Sequence, residues 1–361
     1  MTKMPANLSL LPNGFEDLLY PDAARETKAV GTVMGLLNGF GYNRIKPPKI
    51  EFEDTLLSQG IGDSLSDKTF RVMDPISHKM MAFCSDMTVQ VARIAQTRLA
   101  KNARPLRLCY AGNVIRTRVT EQRTERQFFQ VGAEIIGMNE AQAEIETAVL
   151  SALALARLEV KDITIDINLP GLVEDLFDDY KIADSKHDKA RKALAKRDAG
   201  ALKSLNEELY KAIENILSQT GNSDDLFPTL FALPEKYKEH IERLKIVYEA
   251  LHKAIKELGV DKQVSITIDP LETLGYMYHT GLSFSLYAAE SRRVLGRGGR
   301  YNLGEYTKDQ SESAVGFTLY MDAIRKIIPK AGEKECIEVD FESSWDTLMQ
   351  YVDAGKRVVR K

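Results

Sequence analysis

Apolar residues recur along this chain in two rhythms, and the change from one to the other marks its elements. Val30, Val33, Met34 and Leu37 stand at helical spacing within residues 22–39, with Asp22 as the expected N-cap and Gly39 to Gly41 as the stop. Residues 140–159 predict a second helix, followed by an alternating strand at 162–168. Before the first helix, residues 8–20 read as an extended lead-in that turns at Pro12-Asn13-Gly14. Residues 44–50 predict a strand interrupted by Pro47 and Pro48, which suits a sheet edge or a subunit contact. Residues 70–74 and 79–83 predict a hairpin around Pro75 to His78, with His78 a solvated turn residue.

The alternation that carries most chemistry lies at Gln130-Val131-Gly132-Ala133-Glu134. In a strand, Gln130, Gly132 and Glu134 share one face while Val131, Ala133 and Ile135 pack behind it. Gly132 then offers a bare floor for a small molecule, and Glu134 offers an acceptor for an ammonium or an imidazole N–H. Upstream, residues 116–126 form a polar loop whose four arginines could steer an anion. The same pattern also describes a half-buried hairpin with a salt-bridged loop. A helix is expected to begin after Cys84, where Asp86 or Thr88 can cap it. If that helix start lies beside Gln130 and Glu134, Asp86 and Thr88 add an anion and a hydroxyl suited to an α-amino group.

From about residue 172 to 258 the rhythm is almost wholly helical and the composition rich in Lys, Glu and Ala. Its main helices are expected at 186–217 and 234–258, separated by a polar break at 220–228, and His187, His240 and His252 read as surface or packing residues. Strands return at 264–269 and 275–287. Arg297 to Tyr301 reads as a glycine-rich turn without the Lys-Ser/Thr of a phosphate loop. Ala314 to Thr318 leads into a helix running to Ile328, and a short strand–helix–strand tail follows.

Composition narrows the classes. With 49 Lys and Arg against 52 Asp and Glu, the net charge of −3 supplies no overall field for a polyanion. Three scattered cysteines, with no Cys-x-x-Cys pair, suggest neither a disulfide framework nor a metal site. The start of the chain lacks the apolar core of a signal peptide, so a cytoplasmic protein is expected.

Several stretches, in order, resemble the catalytic core of the histidyl-tRNA synthetase family of class II synthetases. They are residues 11–18, Asp86-Met87-Thr88, the hairpin 116–134, residues 276–284, and Gly298-Gly299-Arg300-Tyr301 followed by Ala314-Val315-Gly316-Phe317. The resemblance covers about residues 8–328. It implies an α+β fold with an antiparallel six- or seven-stranded sheet flanked by helices, and a dimer built through the first strand and helix. Residues 1–171 and 259–329 would form the two parts of the core, 172–258 a helical insertion, and 330–361 the short tail. That tail is shorter than the full anticodon-binding domain the resemblance leads one to expect.

The resemblance also implies a histidine pocket. Asp86, Thr88 and Gln130 would hold the amino group, Glu134 and Tyr278 would meet the imidazole, and Arg116 would stand as the anion-gripping arginine. Elsewhere the chain departs from the family. Its Arg-x-Glu reads Arg116-Thr117-Arg118, the arginine closing the last motif aligns with Ala323, and the activating arginine aligns with Leu274. Adenylation depends on cations aimed at developing phosphate charge, and losing one such group costs about 10²–10³ in rate by analogy with oxyanion-hole donors. Adenylation is therefore expected to be lost, leaving no catalytic residue, metal or cofactor.

A kept pocket with lost chemistry resembles the regulatory subunits of ATP phosphoribosyltransferase, a family of synthetase paralogues. That resemblance implies a partner, the short-form catalytic subunit, in the first step of histidine biosynthesis. It further implies histidine as effector and a homodimer within a larger hetero-oligomer, a hetero-octamer. A divergent adenylating enzyme and a free-standing histidine sensor remain the alternatives.

Overall fold

The computed structural model describes residues 11–57, 63–118, 125–219, 223–272, 279–303, 312–330 and 335–361. Its first half contains α1 (Asp22–Gly39), β1 (Asn43–Arg44), β2 (Ile50–Phe52), α2 (Glu53–Leu56), β3 (Arg71–Met73), β4 (Met80–Phe83), α3 (Met87–Gln96), β5 (Leu106–Ile115), β6 (Gln127–Ile136), α4 (Gln142–Arg157) and β7 (Ile163–Asn168). Six helices follow: α5 (Pro170–Asp179), α6 (Asp184–Ala195), α7 (Ala199–Leu205), α8 (Glu207–Gln219), α9 (Ser223–Phe231) and α10 (Lys238–Glu257). The chain then returns through β8 (Val264–Ile268), β9 (His279–Ala288), β10 (Gly296–Leu303), β11 (Glu312–Tyr320) and α11 (Met321–Ile324), and ends in β12 (Cys336–Val339), α12 (Trp345–Asp353) and β13 (Arg357–Arg360).

Eight strands make the central sheet, in the order β1-β5-β6-β11-β10-β9-β7-β8. The six inner strands pair antiparallel, whereas β1 with β5 and β7 with β8 are parallel. The sheet is thus larger than the expected six or seven strands, and mixed at its borders. Parallel neighbours need a long crossover, and the helices α5–α10 supply one between β7 and β8.

Val131, Ala133 and Ile135 point into one apolar cluster with α1, α4 and the helices after β7. The opposite side of the sheet packs on α3 and the small sheet β2-β4-β3 through Leu106, Leu108, Val114 and Phe128. Leu172, Val247, Leu251 and Ile255 belong to the first cluster, so the helical segment is continuous with the core of the sheet.

Several local expectations need correction. Pro21 is the N-cap of α1, and Asp22 is its first residue, bonded in ion pairs to Arg25 (3.3 Å) and Arg325 (3.2 Å). Pro47 and Pro48 split the expected strand at 44–50 into β1 and β2, which lie in different sheets. The span 186–217 holds three helices, because Arg197 adopts φ +51° and Asn206 accepts the N–H of Leu209 to start a new one. Helix α9 occupies most of the expected break at 220–228; residues 220–222 lie outside the described residues. The Arg297–Tyr301 segment lies within β10, not in a turn. A Cβ at Gly298 would stand 2.4 Å from the Phe284 ring, so that glycine accommodates a neighbour's aromatic side chain. After β11 the helix α11 spans only Met321–Ile324.

The hairpin β3–β4 forms as expected, with His78 exposed at φ +57° in its turn. In the tail, β12 and β13 pair parallel around α12, and Arg357 donates to the Tyr20 hydroxyl (3.1 Å). Among the described residues no helix is long and apolar enough to cross a membrane.

Candidate functional site

Four elements converge on Glu134. Register sets Glu134 of β6 opposite Gly316 of β11, and Gly132 between Tyr110 of β5 and Thr318 of β11. The Glu134 carboxylate is 1% exposed and accepts hydrogen bonds from Tyr301 (3.0 Å), Thr88 (3.2 Å) and Tyr110 (3.3 Å). Tyr110 also shares a hydrogen bond with Thr318 (2.7 Å). Burial pushes Glu134 up to about 8; the three hydroxyls pull it back down, while the Asp86 charge adds to the rise. Its described partners are hydroxyls, with no cation among them. A group bringing its own N–H or positive charge would complete this acceptor.

The floor expected at Gly132 is filled from within. A Cβ there would stand 2.4 Å from the Tyr110 hydroxyl and 2.3 Å from the Phe317 carbonyl. At Gly316 it would stand 1.6 Å from a Glu134 oxygen. Both glycines therefore make room for polar atoms of neighbouring strands instead of presenting a bare surface.

Asp86 caps α3, accepting the N–H of Thr88 on Oδ1 (3.1 Å). Its Oδ2 accepts Arg116 (3.1 Å) and Gln130 (3.3 Å). Gln130 in turn accepts the Met87 N–H (3.0 Å), and Arg116 also donates to the Ser85 carbonyl (2.9 Å). The one carboxylate thus caps the helix and also binds the side chains of Arg116 and Gln130. Arg116 neutralises Asp86 here, and its guanidinium lies 5.1 Å from the Phe128 ring centre. Asp86, Thr88, Arg116, Gln130 and Glu134 form two adjoining hydrogen-bonded groups at the start of α3. Tyr278 lies outside the described residues.

Tyr110, Tyr301 and Thr318 are the site residues that sequence reasoning missed. Alternation places Tyr110 in line with Leu108 and Gly112, and Tyr301 follows the Gly-Gly-Arg run, so a signal was present for both. What it lacked was the strand pairing that brings their hydroxyls to Glu134.

Residues 14–324 match the sequence model of the histidyl-tRNA synthetase family. The ATP phosphoribosyltransferase regulatory subunit of Rhodospirillum centenum is 42% identical over 325 residues, covering 90% of this chain and 81% of that protein. That of Paramagnetospirillum magneticum is 41% identical over 325 residues, covering 90% and 83%. The chain belongs to the family of ATP phosphoribosyltransferase regulatory subunits. A Bacillus halodurans structure described as an ATP phosphoribosyltransferase regulatory subunit/histidyl-tRNA synthetase superposes with a TM-score of 0.80 at 24% identity, covering 98% of this chain and 93% of that one. It shares the class II synthetase-like fold.

Arg118 is largely exposed and lies 3.6 Å from Asp67. Ala323, which stands where the resemblance expects an arginine, is buried in α11. Leu274 lies outside the described residues. Arg300, beside Tyr301, turns to the opposite face of β10. There it pairs with fully buried Glu144 (2.6 Å), which Arg243 of α10 also grips (2.8 Å).

Proposed function

We propose that this chain performs no chemistry itself, activates a short-form ATP phosphoribosyltransferase catalytic subunit, and carries histidine feedback on the first step of histidine biosynthesis. The observation that carries the effector half of this reading is Glu134, a buried carboxylate held by three hydroxyls and no described cation. A histidine imidazole bonded to Glu134 would exchange a hydrogen bond with it in either protonation state. The α-ammonium would reach the second lone pair of Asp86 Oδ1, and the α-carboxylate would face Arg116. Thr88 and Gln130 would complete the amino-group side, and Tyr278 is proposed as the second imidazole contact. Membership in the regulatory-subunit family supports the partner half.

The working assembly would be a homodimer within a hetero-octamer in the cytoplasm, with residues 172–258 inserted into the synthetase-like core. Feedback requires histidine to bind the inhibited assembly more tightly than the active one, and a coupling of about 1–3 kcal/mol would be ordinary. The test is a phosphoribosyltransferase assay, ATP plus phosphoribosyl pyrophosphate, with the short catalytic subunit alone and with this chain added. A large rate increase that histidine then suppresses is expected. An unchanged rate with no complex formed would overturn the proposal.

A further inference from the structure

A second polar site, sharing no side chain with the Asp86–Glu134 pocket, is built where the lead-in meets β6. Pro12 to Phe15 form a turn closed by the Phe15 N–H on the Pro12 carbonyl (3.1 Å), with Gly14 at φ +82°. The Gly14 carbonyl takes the N–H of Arg126 (2.8 Å), and the Arg126 stem packs where a Cβ on Gly14 would stand, 2.7 Å from that position. The Arg126 guanidinium is thereby held against the rings of Phe70 (4.7 Å) and Phe15 (5.3 Å). Its hydrogen bonds go to two backbone carbonyls, of Arg116 (3.2 Å) and Asn13 (3.4 Å). Among the described residues no carboxylate pairs with it. Thr117 is fixed beside it by its N–H on the Lys68 carbonyl (2.8 Å) and its hydroxyl on the Asp67 carbonyl (2.9 Å). Asn13, Thr117, Arg118 and Arg126 line a cavity of about 380 Å³.

A guanidinium has five N–H donors in a rigid fork, and the two carbonyls on Arg126 satisfy two of them without offsetting its charge. Arg118 brings a second fork to the same cavity, tied only loosely to Asp67. We propose that this cavity binds a small phosphorylated anion, its phosphate held by Arg118 and Arg126. A phosphate fits better than a carboxylate, because its three oxygens and higher charge can engage both forks. The small volume of this open cavity and the net charge of −3 favour a small molecule over a nucleic acid.

Titration calorimetry of the full chain with inorganic pyrophosphate and with ribose 5-phosphate tests this, with ribose as the uncharged control. Saturable binding of a phosphorylated probe and none of ribose is expected. Arg118→Ala should weaken that binding about tenfold, the effect of one charge-assisted contact. Arg126→Gln, which keeps a planar group between the two rings, should weaken it at least as much while the unfolding midpoint stays close to the parent's. No saturable binding, or binding that both substitutions leave unchanged, would overturn the proposal. The readout uses neither histidine nor a partner subunit, so its failure is distinct from failure of the effector reading.

Discussion

Replacing Glu134 by Gln tests the central feature of the site without changing its shape. In the folded chain burial raises this carboxyl from 4.5 to about 8. Between those values the unfolded chain has lost the proton that the folded chain keeps. Unfolding then releases a proton, and stability falls as pH rises, by about 1.4 kcal/mol per unit. The stabilisation present below pH 4.5 is therefore lost progressively up to about pH 8, a span worth roughly 4–5 kcal/mol at most. Glutamine carries no titratable proton, and its amide can still meet the hydroxyls of Thr88, Tyr110 and Tyr301. Urea unfolding of both proteins at intervals between pH 5 and 8, without histidine, measures the difference. The Gln variant should gain on the parent steadily with pH and be the more stable protein at pH 8. Parallel stability curves would refute the reasoning, because they would mean that Glu134 is already ionised in the folded chain. In the phosphoribosyltransferase assay the same substitution should weaken the response to histidine, so stability and function move in opposite directions.

Four further substitutions, in two pairs, separate roles that share one residue or one network. Asp86→Asn keeps a helix cap but removes the charge facing Arg116, whereas Asp86→Ala removes both and should cost about 1–2 kcal/mol more. Calorimetry with histidine should nonetheless show both variants weakened alike, and a normal affinity in Asp86→Asn would exclude the carboxylate from binding. Glu144→Ala strands the buried Arg300 and should destabilise by about 3–5 kcal/mol in urea. Arg243→Ala leaves the Arg300–Glu144 pair intact and should cost about 1–2 kcal/mol; equal costs would show that the three residues do not act as described.

The elements with an unbroken period were legible: α1, α4, β7, the β3–β4 hairpin and the strand–helix–strand tail. So was the face shared by Gln130 and Glu134, since alternation is a property of one strand. Pairing is not. Tyr110 reaches Glu134 from 24 residues away and Tyr301 from 167, and only the register of β5, β6, β11 and β10 sets those meetings. Glycines misled for the same reason. Gly132 and Gly298 announce that a side chain is absent but not what fills the space, and in both places an aromatic ring does. The parallel borders of the sheet were hidden as well, because strand direction depends on how far the chain travels between β7 and β8.

Neighbouring residues of β10 face two buried carboxylates on opposite sides of the sheet. Tyr301 gives Glu134 a neutral hydroxyl, and Arg300 gives Glu144 a full charge. A slip of one residue would place Arg300 in the hydroxyl-lined pocket and Gly299 under Glu144, leaving that carboxylate to Arg243 alone. Register errors in a strand exchange its two faces, and here the exchange would mismatch charge on both sides at once. The polar residues around β10 thus act as a proofreading device for strand alignment, because the slipped pairing would strand charge that the native pairing matches.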